Sequence, residues 1–331
     1  MKEKLRAYPM VILLLPLVAA ILLFIDPPPK YPPRPAPNAL QERLYGRLAS
    51  AGLEGDELAT VGALMLGYKE ALRKELRQHF QVSGAAHVLA VSGLHTGILY
   101  GVIVWLLTLG GRFRPMHENR IGRRTLSLVI IAAMWGYAWL TGMTPSVVRA
   151  VVMVTLFEIG RMAYRQAFSL NTIAAAAFLI LAARPTDLWS VSFQLSFAAM
   201  LFILALWRPV SEMVPKLHWT IQLLAVSCVA TLGTMPLIAY YFHRIALLGP
   251  LLSLVLIPMT TLIVYLTIAT MILPIMPLGW LLNGVVALQE RILDFAGSIP
   301  GSMLTDIYPS IPVVAMMYGA MLVAIIRLRT R

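Results

Sequence analysis

Nine apolar stretches follow one another with short breaks between them, at about 96–110, 125–140, 146–160, 169–183, 188–207, 219–241, 246–273, 279–297 and 312–326. Inside a bilayer there is no water to bond to the backbone, so each stretch has to satisfy its own N–H and C=O groups, which a helix does. Of the 331 residues 59% are hydrophobic and 13% charged, a composition of polytopic membrane proteins rather than soluble domains. The expected fold is an all-α polytopic membrane protein with about nine or ten transmembrane or partial helices. Pro236, Pro250, Pro258 and Pro274 fall within or beside these stretches and predict kinked or partial helices among them.

Basic residues set the expected orientation. Lys2, Lys4 and Arg6, then Arg112, Arg114, Arg120, Arg123 and Arg124, then Arg161 and Arg165, then Arg208 and Lys216, then Arg327, Arg329 and Arg331 occupy alternate breaks. The positive-inside rule places all five clusters, and with them both termini, in the cytoplasm. The break at Pro274–Leu278 carries no charge and gives this count no support. The net charge of +12 follows largely from these loops and is not by itself a sign of a nucleic-acid partner. A single cysteine, Cys228, excludes an internal disulfide and a cysteine-based zinc site, and no cofactor is expected.

Four regions are expected. Residues 1–25 form an amino-terminal membrane anchor, read as uncleaved because the apolar run passes the small residues Val18–Ala20 and continues to Ile25. Residues 26–37, in which seven of twelve are proline, form a stiff linker that separates the anchor from the rest. Residues 38–80 read as extracytoplasmic amphipathic or interfacial helices, since Leu72, Leu76 and Phe80 recur every fourth residue beside basic groups. Residues 81–331 form the polytopic domain.

The segment from His79 to Gly111 concentrates polar and small residues at the mouth of an apolar run, and a re-entrant or broken helix is expected near 82–95. Gly93, Gly97 and Gly101, four apart, predict a smooth helix face for close packing. His87, Ser92 and His95 are candidate functional residues. Ser92 and His95, three apart, share a helix face and admit an intramembrane serine hydrolase, but no orienting carboxylate lies near them. His87 and His95 would stand about 12 Å apart on a helix, too far to share a metal.

The string His87-Val88-Leu89-Ala90-Val91-Ser92-Gly93-Leu94-His95, preceded by Ala63–Gly67, resembles the signature of the ComEC family of competence proteins. A second block, Thr141-Gly142, Pro145-Ser146, Arg149-Ala150, Met153, then Arg161, Asn171, Pro185 and Phe193–Ala199, resembles the same family in the same order. The likeness covers roughly residues 40–331. It implies a channel that passes single-stranded DNA across the bacterial cytoplasmic membrane. As partners it implies the DNA strand and membrane lipid, with a DNA receptor outside and a helicase-like motor or single-strand-binding proteins inside. Longer members of that family carry an OB-type module and a metallo-β-lactamase-like module. Neither fits in this chain, which has no HxHxDH string and no GxxxxGK[ST] phosphate loop, so neither nuclease nor ATPase action is expected.

Thr144 and Pro145 predict a helix start with a positive dipole end that attracts anions, and Arg149, one turn inside, adds a charge suited to phosphate. Arg184 and Asp187 share an outer turn and could pair with each other. Gln194 and Ser196, with Ser192, give the following helix polar groups on more than one side. Arg149, Arg184 and Arg244 lie outside the cytoplasmic clusters, at or just beneath the outer face in this topology, and frame an expected outer vestibule with Trp189, Tyr240 and Tyr241 nearby; His87, Ser92, His95, Gln194 and Ser196 are further candidate substrate or channel residues. A small-anion permease using Arg149 stays open as an alternative. Glu158 reads as a loop-facing partner of Arg161. Glu290 and Asp294 beside Arg291 read either as an intramembrane charge pair or as the surface end of a bent helix.

The orientation has a direct check. A cysteine placed at Arg34 should react with a membrane-impermeant thiol reagent from outside the cell, and labelling only from the cytoplasm would reverse the assignment.

Overall fold

The computed structural model describes residues 9–27, 38–68, 93–108, 120–163, 169–213 and 219–330. Twelve α-helices and one two-residue strand pair make up these residues, and the chain is an all-α membrane protein. Helix α1 runs Pro9–Phe24, α2 Ala39–Ser50, and α3 Gly55–Val61, which passes into a π-turn at Gly62–Leu66. Then follow α4 Gly93–Thr108, α5 Arg120–Leu140, α6 Pro145–Met162, α7 Leu170–Ala183, a 3₁₀ turn Pro185–Trp189, α8 Val191–Met213 and α9 Trp219–Phe242. Strand β1 Ile245–Ala246, α10 Gly249–Ile272, α11 Met276–Ser298, β2 Met303–Leu304 and α12 Ile311–Thr330 complete the chain. Helices α9 and α10 are long and apolar enough to cross a membrane, and α1, α4, α7, α8 and α12 contain shorter apolar stretches.

Successive helices from α5 to α9 alternate in direction. Helices α5, α7 and α9 finish at one end of the bundle, where α6 and α8 begin; we call it the upper end, and the expected topology assigns it to the outside. Three links hold it together: Arg149 of α6 donates to Ser192 of α8, Gln194 donates to the Leu188 carbonyl (3.0 Å), and the Tyr241 hydroxyl of α9 donates to Gln194 (2.8 Å). Pro236 and Pro258 lie inside continuous helices, whereas Pro250 starts α10 and Pro274 sits in the break before α11.

Helix α1 is part of the bundle. Ile21 is buried in one core with Ile173, Ala177, Ile180 and Leu181 of α7, and the Met10 N–H is taken by the side chain of Asn171 (2.9 Å), which satisfies one of the bare donors of the α1 first turn. Met10 lies beside the start of α7, and α1 also contacts the 3₁₀ turn Pro185–Trp189 beyond the end of α7, so the two helices run parallel. The linker was expected to hold the anchor apart. Its residues 28–37 lie outside the described chain, but a mostly apolar helix gains more from a complementary partner than from standing alone.

Residues 38–68 dock as well. Asn38 and Gln41 cap α2 reciprocally, and the Asn38 amide donates to the carbonyls of Trp139 and Leu140 at the end of α5. Gln41, buried, donates to the Leu66 carbonyl (2.7 Å). Leu48, Leu53, Leu58, Val61 and Leu66 form one core with Ile263 and Leu266 of α10 and Leu282 and Val286 of α11. The interfacial helix expected over 69–80 and the re-entrant region expected near 82–95 fall outside the described residues, apart from Gly93–His95, which begin α4.

Close backbone approach occurs at a glycine the sequence did not single out. A Cβ on Gly279 of α11 would fall on the carbonyl oxygen of Ala51. Among the described residues nothing lies within 4 Å of where a Cβ on Gly93, Gly97 or Gly101 would stand. Helix α4 packs instead through Leu99, Tyr100, Ile103 and Val104, because those side chains match the apolar face of α5 and α6. Gly279→Ala should therefore cost about 1–3 kcal/mol, read as a lower melting temperature in detergent. Gly97→Ala should leave that temperature unchanged or raise it slightly, since alanine is the better helix former.

Candidate functional site

Polar groups that helices cannot hide gather at the upper end. The turn after α5 brings Gly142 (φ +68°) and Met143 (φ +52°) into the left-handed region and delivers the chain to Pro145 at the start of α6. Proline has no N–H to leave bare there, but Ser146 and Val147 present theirs at the positive end of the dipole. Thr144 occupies the capping position, yet its hydroxyl makes no cap bond and is buried without a partner among the described residues. The expected side-chain cap is thus absent; the turn closes through the backbone, with the Val148 N–H donating to the Thr144 carbonyl (3.0 Å).

One turn inside stands Arg149, 3% exposed. It donates through Nη2 to Ser192 Oγ, while Nε and Nη1, which carry three of its five N–H groups, have no partner among the described residues. A buried neutral donor left bare costs about 1–3 kcal/mol and a charged one more, so this guanidinium is poised for an acceptor. Its planar fork suits a phosphate or carboxylate.

The surroundings carry both signs of charge. Asp187 sits half-buried in the 3₁₀ turn with its N–H on the Arg184 carbonyl (3.0 Å), and Arg184 itself is exposed at the end of α7. Arg184 and Asp187 make no ion pair within 4.0 Å, which removes one structural explanation for Arg184. Burial raises the Asp187 carboxyl above the ordinary range, and the positive charges of Arg149 and then Arg184 pull it partly back.

Of the other candidates, Gln194 is fully engaged: its amide donates to Leu188 and its oxygen accepts from Tyr241, so it ties the upper turn to α9. Ser196 is half-buried one turn below Ser192. Arg244 is half-buried just beyond the end of α9, at the same end of the bundle. His95 is buried in the first turn of α4. His87 and Ser92 lie outside the described residues, and the Ser92–His95 pairing with them.

Sequence reasoning missed a second polar cluster and misplaced its centre. Glu158 of α6 is wholly buried, not loop-facing: it accepts from Tyr100 of α4 (2.6 Å), Ser127 of α5 (2.6 Å) and Arg161 (3.0 Å). The Arg161 partner was visible from the three-residue spacing, but the hydroxyls come from two other helices. Glu290 accepts from Thr60 of α3 (2.9 Å), so it anchors the docked segment 38–68. The Asn38–Gln41 capping box was a readable signal that went unused.

A family profile described as "Competence protein" matches residues 64–331. The chain is 31% identical over 209 residues to "ComE operon protein 3" of Bacillus subtilis, a match of 63% of this chain and 25% of that protein. It is 29% identical over 273 residues to an uncharacterized protein of Aquifex aeolicus (81% of this chain, 61% of that one), and 28% identical over 219 residues to "Competence protein ComA" of Neisseria gonorrhoeae (63% and 29%). The matched part is thus about a quarter of the Bacillus and Neisseria proteins. No solved structure matches.

The Asp187 carboxylate opposes an anion at Arg149. Because its titration is raised, that charge is lost at a higher pH than an ordinary carboxylate's as the medium is acidified. Binding of an anion such as sulfate to the purified protein should strengthen as the pH is lowered from 7 through the titration of this carboxyl, and Asp187→Asn should bind more tightly at pH 7 and lose that response. The same shift makes the ionised carboxylate a burden on folding above its titration, so Asp187→Asn should not lower thermal stability at pH 7.

Proposed function

Since the chain belongs to the competence-protein family, we propose that it serves DNA uptake in natural transformation by giving one DNA strand a path across the bacterial cytoplasmic membrane. The observation that carries this reading is Arg149, a buried guanidinium with Nε and Nη1 unmatched, set one turn inside the start of α6. A polyanion entering from water loses hydration, and N–H groups fixed in advance replace it without further ordering. Arg184, exposed on the same end, and Arg244 next to α9 raise the local positive potential that draws the strand in. Tyr240 and Tyr241, packed edge to face at 5.0 Å between ring centres, stand beside Arg244 and offer faces for bases to stack on.

On this reading the partners are single-stranded DNA and membrane lipid, with a DNA receptor on the outer side and a helicase-like motor or single-strand-binding proteins on the inner side. The protein sits in the inner membrane as a multi-pass channel and works without covalent catalysis. The chain spans only part of its longer relatives, so the passage is proposed as the work of this segment alone.

The test is transformation with genomic DNA in a strain whose own copy is replaced by variants at wild-type abundance. Arg149→Lys keeps the charge and loses the fork, and should lower uptake at least tenfold; Arg149→Gln should lower it further. Arg184→Gln and Arg244→Gln should weaken uptake in a salt-dependent way, as expected of steering charges. Ser92→Ala should keep most of the activity, whereas loss by orders of magnitude would return the hydrolase reading. Unchanged uptake in all three arginine variants would remove the phosphate path.

A further inference from the structure

Helix α10 does not fold back from the end of α9. Ser253, in the second turn of α10, donates to Ser227 (2.7 Å), which lies about 22 Å before the end of α9 at 1.5 Å per residue. In a simple helical hairpin Ser253 would face the last two turns of α9. The intervening residues 243–248, with the strand Ile245–Ala246 at their centre, carry the chain back along α9 to the start of α10.

This return segment is one half of a ribbon. Ile245 pairs with Leu304 and Ala246 with Met303, the Leu247 N–H donates to the Ser302 carbonyl (2.9 Å), and the Ile307 N–H donates to the His243 carbonyl (3.2 Å). The same antiparallel register continues into the helices, where Gln289 of α11 donates to Thr260 of α10 (3.3 Å). Residues 243–307 are therefore one continuous hairpin, with a strand ribbon at its base and the helix pair α10–α11 beyond it. The base begins at the upper end, beside His243 and Tyr308. The tip is at the upper end too: Arg47 of α2 donates to the Met271 carbonyl (2.9 Å), Gly279 lies against Ala51, and Leu140 at the end of α5 packs on the same core as Met271 and Leu278.

We propose that residues 243–307 form a re-entrant hairpin, which enters the membrane from the upper side, turns within it at the start of α10 and the end of α11, and returns its tip at 273–275 to the side from which it came. Four observations agree. The tip carries no charge from Thr270 to Leu281, as the positive-inside rule expects of a loop on the outer side. Base and tip lie at one end, while Ser227 fixes the intervening turn deep in the bundle. The hairpin tip is wrapped by residues 38–68 rather than standing alone. The ribbon itself has two open edges, whose N–H and C=O groups are tolerated at membrane depth only against protein or water.

Strand alternation then assigns the ribbon two faces. Ile245, Leu247 and Leu304 share one face, and Leu247 and Leu304 are exposed, as are Leu251 and Val255 of α10. Arg244, Ala246, Met303 and Thr305 share the other. The first face meets acyl chains and the second borders water.

The experiment uses the full chain in intact cells with Cys228→Ser, and asks which added cysteines react with a membrane-impermeant maleimide. Leu273→Cys at the tip and Tyr308→Cys at the base should be modified from the same side. Ala246→Cys and Thr305→Cys should react at least ten times faster than Leu247→Cys and Leu304→Cys. Modification of Leu273→Cys only from the side opposite Tyr308→Cys would show that α10 and α11 each cross, and would overturn the proposal. Equal rates at the four ribbon positions would overturn the two-faced ribbon. Should a ribbon variant fail to accumulate, Ser227→Cys with Ser253→Cys reports the register directly: rapid disulfide formation is expected, and its absence at wild-type abundance would refute the return of the chain along α9. None of these readings involves DNA, so their failure is distinct from failure of the transport reading.

Discussion

A peptide group in hydrocarbon has no water to turn to, and that constraint orders the molecule. Twelve helices answer it directly. Where the chain leaves the helical state it does so in places that supply other partners: the turn before α6, the 3₁₀ turn before α8, and the ribbon between α9 and α12. The first two meet at the upper end around Arg149. Backbone that has stepped out of a helix exposes N–H groups, and a guanidinium beside them sits where the bundle already holds polar groups. The polar site and the breaks in the helices have one physical origin.

The two polar clusters divide the labour differently. Glu158 accepts from three donors on three helices, with both carboxylate oxygens engaged, so α4, α5 and α6 are stitched into a unit. Arg149 has one partner and two nitrogens unmatched among the described residues. Burial alone does not tell a structural charge from a functional one; the count of satisfied hydrogen-bonding groups does.

Helix positions were readable from the sequence because hydrophobic length is a local property. The stretch 170–183 was expected at 169–183, and 219–242 at 219–241. Arg149 was legible for the same reason, as a charge within an apolar run beside a proline start. What failed to show were relations between distant segments. Nothing in the Gly93–Gly97–Gly101 spacing says whether another helix comes to that face, and among the described residues none does. Glu158 could be matched to Arg161 on its own helix but not to Tyr100 and Ser127 on two others. The depth at which α10 begins is a matter of register against α9, and hydropathy carries no register.

The parallel packing of α1 on α7 bears on how the protein is made. Helix α1 leaves the ribosome about 160 residues before its partner, and at 5–20 residues per second that is a delay on the order of ten seconds or more. During that interval Ile21 and its neighbours have only lipid, or an insertion factor, against them. Assembly therefore cannot proceed strictly in chain order: a gap beside the early helices has to be kept open, or reopened, until the Asn171 side chain arrives to take the waiting N–H of Met10.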